Sequence, residues 1–119
     1  MMTTPYVAQQ TITDYGLRSS NLQYSATLAI TTNTTLTIPG NAPRYKALIK
    51  CMPAGQVWVA TNATAAAPGG SSFAATTSEL LTQDYALCRE VRAGDVLNFY
   101  SSTATTNVSV SLFALNTPN

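Results

Sequence analysis

From Leu22 to Ile38 the apolar side chains keep one parity. Leu22, Tyr24, Ala26, Leu28 and Ile30 occupy even positions, Gln23, Ser25 and Thr27 lie between them, and Leu36 and Ile38 resume the parity after Thr32-Asn33-Thr34. A period of two belongs to a half-buried strand, whose successive side chains point to opposite faces. A helix with one buried stripe needs a period of about 3.6. One bent strand, or two strands around a turn at Asn33, satisfies the pattern. Pro39-Gly40-Asn41-Ala42-Pro43 then ends it, because proline cannot donate to a ladder and glycine favours turns.

The same period returns downstream. Across Arg44–Met52, Tyr45, Ala47, Ile49 and Cys51 give an apolar face, and Arg44, Lys46, Leu48 and Lys50 a mostly basic one. After a break at Pro53-Ala54-Gly55 a short strand is expected over 56–61. An Ala-, Pro- and Gly-rich loop follows over 62–72, and Phe73 either opens another strand or anchors a contact. Ser78-Glu79-Leu80-Leu81 reads as the start of a helical turn capped by Thr77 or Ser78. A strand is expected over 85–91, and Val91-Arg92-Ala93-Gly94-Asp95-Val96-Leu97 is expected to be a tight connection that feeds a further strand through Tyr100. Val108, Val110, Leu112 and Ala114 mark a last strand.

Seven or eight short strands, with turn signals about every ten residues and no helical stripe, specify an all-β fold, an antiparallel β-sandwich or barrel. Its core is expected to hold Leu28, Ile30, Ile49, Val59, Val96, Val110 and Leu112. Residues 1–20 lack the alternation. The chain is therefore divided into an extended N-terminal arm, 1–20, and a β-sandwich domain, 21–119.

Composition narrows the chemistry. The chain has no histidine, which removes the commonest general base and the commonest zinc ligand. It contains no nucleophile elbow, dinucleotide fingerprint or phosphate loop. Asp14, Glu79, Asp84, Glu90 and Asp95 are scattered and read as solvated charges or turn residues. No catalytic, cofactor-binding or metal-binding residue is assigned, and the chain is read as a non-enzyme. A formal net charge of +1 argues against an electrostatic nucleic-acid binder. No apolar run approaches the roughly 20 residues that span a bilayer. Neither nucleic acid nor membrane is an expected partner, and Met1-Met2-Thr3-Thr4-Pro5 shows no leader pattern. Charged residues are 9% of the chain, whereas 29 of its 119 residues are Ser or Thr, so its polar surface is built from hydroxyls. Cys51 and Cys88 are too few for a disulfide scaffold and are read as two buried, reduced thiols.

Three groups of residues are candidates for a partner interface. Arg44, Lys46 and Lys50 share one strand face, which either docks on an acidic protein surface or guards an edge strand against aggregation. Trp58 lies between Val57 and Val59 and must point away from both, so the indole is either an interface anchor or core. Tyr6, Ile12, Tyr15 and Leu17 are the arm's apolar contacts on a neighbour, unless the arm is a first strand of the sandwich itself.

The stretch from Val91-Arg92-Ala93-Gly94-Asp95-Val96-Leu97-Asn98-Phe99-Tyr100 through Val108-Ser109-Val110-Ser111-Leu112-Phe113-Ala114-Leu115 resembles the last hairpin of jelly-roll domains. With the Thr/Ser/Ala-rich strands, Arg44-Tyr45-Lys46-Ala47-Leu48-Ile49 and Val57-Trp58-Val59-Ala60, the chain is similar to capsid decoration or cement proteins of tailed bacteriophages. That resemblance implies a jelly-roll-like sandwich that assembles as a homo-oligomer, trimer or dimer. It also implies a location on the capsid surface of the virion, after synthesis in the host cytoplasm. The implied partners are the major capsid protein or other virion proteins. A phage tail or fibre component, a glycan-binding receptor module and a lectin-like adhesin domain are the alternatives.

Overall fold

The computed structural model describes residues 22–52, 56–102 and 105–115. Among them no helix forms and eight strands do. These are β1 (Leu22–Leu28), β2 (Thr34–Thr37), β3 (Arg44–Met52), β4 (Val57–Thr61), β5 (Ser78–Leu81), β6 (Leu87–Arg92), β7 (Val96–Ser101) and β8 (Thr106–Leu115). They make two four-stranded antiparallel sheets, ordered β1-β8-β3-β6 and β2-β7-β4-β5. The expected all-β sandwich is what this chain forms. The arm, with Tyr6, Ile12, Tyr15 and Leu17, lies outside the described residues.

The strand order has a simple reading. β1 pairs with β8, β2 with β7, β3 with β6 and β4 with β5, as in one long hairpin whose tip is the β4–β5 connection. The remaining pairings, β3 with β8 and β4 with β7, roll that ribbon into two layers. Every pair is antiparallel, so alternate residues of each strand face the space between the sheets. Tyr45, Ala47, Ile49 and Cys51 of β3, Val108, Val110 and Leu112 of β8, Val57 and Val59 of β4, and Leu97 and Phe99 of β7 fill that space. The Tyr45 hydroxyl, buried with its ring, accepts the backbone N–H of Ala42 at 2.8 Å. This ties the turn before β3 to the core.

The β6–β7 corner follows from its sequence. Gly94 takes φ +89°, a left-handed conformation that a Cβ would strain. The Asp95 carboxylate accepts the Arg92 N–H at 2.9 Å, and the Asp95 N–H donates to the Arg92 carbonyl at 3.1 Å. Asn62 locks the neighbouring turn by donating to Asp95 Oδ1 at 3.1 Å and accepting the Val96 N–H at 2.8 Å.

Several expectations need correction. Ile30 is 46% exposed, not core, because the β1 ladder stops at Leu28 and Thr31, at φ 57°, turns the chain. Val96 is only half-buried, because the inward positions of β7 are Leu97, Phe99 and Ser101. Ser78–Leu81 is a strand, not a helical turn. The free side of β4 supplies a ladder, with Trp58 opposite Leu80 and Val57 opposite Leu81, and that outweighs the weak local preference. Phe73 is fully exposed and opens no strand. Tyr85 lies exposed in a bend before β6, which starts at Leu87.

Candidate interaction surface

β3 is central in its sheet, between β8 and β6. Its odd residues enter the core, so Arg44, Lys46, Leu48 and Lys50 all point outward. The structure therefore brings the three expected cations onto one face. It also removes one of their two readings, since a central strand needs no charge to guard an edge. Arg44 is half-buried and paired to Glu90 at 2.7 Å. Lys46 and Lys50 are exposed, and neither is in an ion pair among the described residues. Lys46 lies between Glu90 of β6 and Phe113 of β8, and Lys50 lies beside Ser109. Beyond them the face continues in hydroxyls and amides. Ser109 faces Ser25, Ser111 faces Gln23, and Thr27 donates to Asn107 Oδ1 at 2.7 Å. The result is a mixed face: Lys46 stands beside Glu90 and Phe113, Leu48 shares its parity, and Lys50 opens onto neutral donors and acceptors.

Trp58 belongs to the other sheet. Val57 and Val59 point inward, so the indole takes the outer face, opposite Tyr100 of β7 and Leu80 of β5. It is nevertheless half-buried, at the wall of a cleft of about 760 Å³ that residues 67–76 complete. The loop that supplies them is tied down. Asn33 donates to the Ala65 carbonyl at 3.3 Å and accepts the Ala65 N–H at 3.2 Å, and the Ala66 N–H donates to Ser78 Oγ at 3.1 Å. The Trp58 Nε1–H is buried there with no acceptor. Trp58 and the lysines thus face opposite ways and form no single site.

Sequence reasoning missed Met52 and Tyr85, which are 67% and 79% exposed. Strand directions place Met52, the last residue of β3, at the same end of the sandwich as Ile30 and Tyr85, which lie on connections. Met52 continues the outward parity of β3, a signal that was available; Tyr85 carried none.

The thiols differ from each other. Cys51 is buried with Sγ 3.8 Å from the Leu81 carbonyl, whereas Cys88 is exposed, which corrects the expectation of two buried thiols. Both are free. Cys88 stands opposite Leu48, three residues along β3 from Cys51. That is roughly 10 Å of strand, beyond disulfide reach. Burial pushes the Cys51 thiol above its ordinary pKa. The folded state then holds that proton more tightly than the unfolded chain does. The associated stability is complete below the ordinary thiol pKa and is lost as pH climbs through the raised one. Native protein at neutral pH is expected to take one equivalent of a thiol reagent, at Cys88, and the second only on unfolding. Mass spectrometry of the labelled chain checks this; prompt labelling of Cys51 in the native state would refute its burial.

Comparison of the chain with protein-family models, curated proteins and solved structures finds no match.

Proposed function

We propose that this chain is a non-enzymatic structural protein of a phage virion, a head decoration or cement protein with a jelly-roll-like winding. In this reading it binds the capsid shell as a homo-oligomer. The observation that carries it is the outer face of the β1-β8-β3-β6 sheet, where exposed Lys46 and Lys50 border a stretch of Ser, Gln, Thr and Asn side chains on β8 and β1. Such a face suits a protein surface that is mildly acidic and rich in hydrogen-bonding groups. Few charges are displaced, so binding should depend only modestly on salt. Stabilisation follows by mass action. A protein that binds the assembled shell and not the free subunit stabilises the shell by about 2.7 kcal/mol per site at a hundredfold excess over Kd.

The glycan-binding alternative would use the other sheet, where half-buried Trp58 and exposed Phe73 line one cleft. The test is co-sedimentation with empty shells assembled from the major capsid protein of the same genome, run beside host cells. Saturable binding to shells and a higher shell-disruption temperature are expected. The double variant Lys46→Glu, Lys50→Glu is expected to weaken binding by at least about tenfold without changing the circular dichroism. Binding to cells and not to shells would overturn the reading.

A further inference from the structure

The outer face of the β2-β7-β4-β5 sheet carries a cleft that the proposed shell contact does not use. Trp58 and the strap over 67–76 line about 760 Å³, a size that holds a small ligand. Two aromatic side chains meet there. Phe73 is fully exposed, so its ring is open to a partner, and Trp58 is half-buried. The Trp58 Nε1–H is buried without an acceptor, and a buried donor left unpaired costs folding free energy. The other polar groups of the cleft are neutral. Ser71 and Ser72 add exposed hydroxyls, which both donate and accept, Gly69 and Gly70 present bare backbone, and no ionisable residue lines the cleft. The strap is fixed at its ends. Asn33 holds Ala65, Ser78 Oγ holds Ala66, and the Ser78 N–H donates to Thr76 Oγ1 at 3.2 Å. Between those ends, residues 67–75 make no hydrogen bond among the described residues. The centre of the strap can therefore lift while its ends stay in place.

We infer that this cleft is a binding site for a neutral saccharide, with a sugar ring stacked on Phe73 and the indole, and a ligand oxygen accepting the Trp58 Nε1–H as the strap lifts. The ligand class follows from what each alternative leaves unmet. A hydrocarbon covers the rings but leaves the buried N–H unpaired. An ion gives up its water and finds no counter-charge. A pyranose has C–H faces that lie on aromatic surfaces and a rim of hydroxyls that donate and accept, and the cleft offers both kinds of partner. An extended peptide brings carbonyl oxygens but few hydroxyls for Ser71 and Ser72 to meet, and it is the competitor in the test. The site does not rest on shell binding. Trp58 and the lysines face opposite ways, so both faces can be occupied at once, and either role can fail without the other.

Trp58 is the sole tryptophan, so its emission reports on the cleft alone. In the test the full chain is applied to an array of neutral and sialylated glycans, beside a proline-rich peptide. The best-retained neutral oligosaccharide is then titrated, free in solution, against Trp58 emission. Retention of neutral glycans is expected, with a saturable change in emission that added salt leaves unaltered. Phe73→Ala removes a side chain that touches no core residue and is expected to keep the circular dichroism. It is expected to weaken binding by about tenfold in calorimetry. Trp58→Phe keeps a ring but removes the N–H, and is expected to weaken binding by about threefold to tenfold. The double variant Lys46→Glu, Lys50→Glu is expected to bind saccharide normally, whatever it does to shells. An array on which no neutral glycan is retained would overturn the inference. So would binding that Phe73→Ala leaves intact, or emission that responds to the peptide and to no glycan.

Discussion

Replacing Leu112 by alanine is expected to remove about 2–5 kcal/mol of folding stability. Leu112 is 2% exposed and sits in the central strand β8, between Leu22 of β1 and Ala47 of β3. Ladders hold both neighbours, so the strands cannot close over the space the side chain leaves. The loss combines the transfer term for the missing methyl and methylene groups with the cost of the cavity. A domain of this size is expected to melt roughly 4–8 °C lower for each kcal/mol lost. Ile30→Ala is the control. Ile30 shares the apolar parity of β1 but is 46% exposed beyond the end of the ladder. Its truncation is expected to change stability by less than about 0.5 kcal/mol. Equal losses from the two variants in urea titrations would contradict the burial pattern on which the sandwich rests.

Tyr45 carries the second large effect. Its ring is fully buried, and its hydroxyl accepts the buried Ala42 N–H. Tyr45→Phe keeps the ring but leaves that donor unpaired, which is expected to cost about 1–3 kcal/mol. Tyr45→Ala adds the cavity and is expected to cost about 3–5 kcal/mol. The difference between the two variants separates the hydroxyl's share from the ring's. If Tyr45→Phe were as stable as the unsubstituted chain, the hydrogen bond would not hold the 39–43 turn to the core.

The parts of this fold that sequence revealed are those where a local pattern and a long-range partner agree. β3 was legible over its whole length. Every odd position from Tyr45 to Cys51 is apolar, only Leu48 interrupts the polar positions between them, and proline stands on both flanks, at Pro43 and Pro53. β8 was legible for the same reason, through Val108, Val110 and Leu112. β5 was not, because Ser-Glu-Leu-Leu carries helix-start signals and becomes a strand only through its pairing with β4. Ile30 was misplaced because parity carries no information about where a ladder stops. The orientation of Trp58 was undecidable in a Val-Trp-Val triplet, whose two alternating faces are both apolar. Strand order was not legible either. Leu22 faces Leu112 across the whole length of the domain, and nothing in either strand names the other. Of the candidate interface, the shared face of Arg44, Lys46 and Lys50 was legible. That it lies mid-sheet, with Arg44 already committed to Glu90, was not.

The place of β8 bears on how the domain is made. β8 is the last described strand, yet it sits inside its sheet, between β1 and β3. During synthesis β1 is the first of the described strands to emerge, and its described neighbour, β8, clears the ribosome last. β3 meanwhile finds only β6. The β2-β7-β4-β5 sheet can assemble earlier, because its last strand is β7. For most of translation the nascent domain therefore holds at most one finished layer, with an apolar face that nothing yet covers. Closure comes in one late step across a large loop, the kind of contact that slows folding and prolongs exposure of unpaired strands. A chain of this topology folds essentially after translation of the domain, and in that interval the strands that wait for β8 are exposed to neighbouring nascent copies.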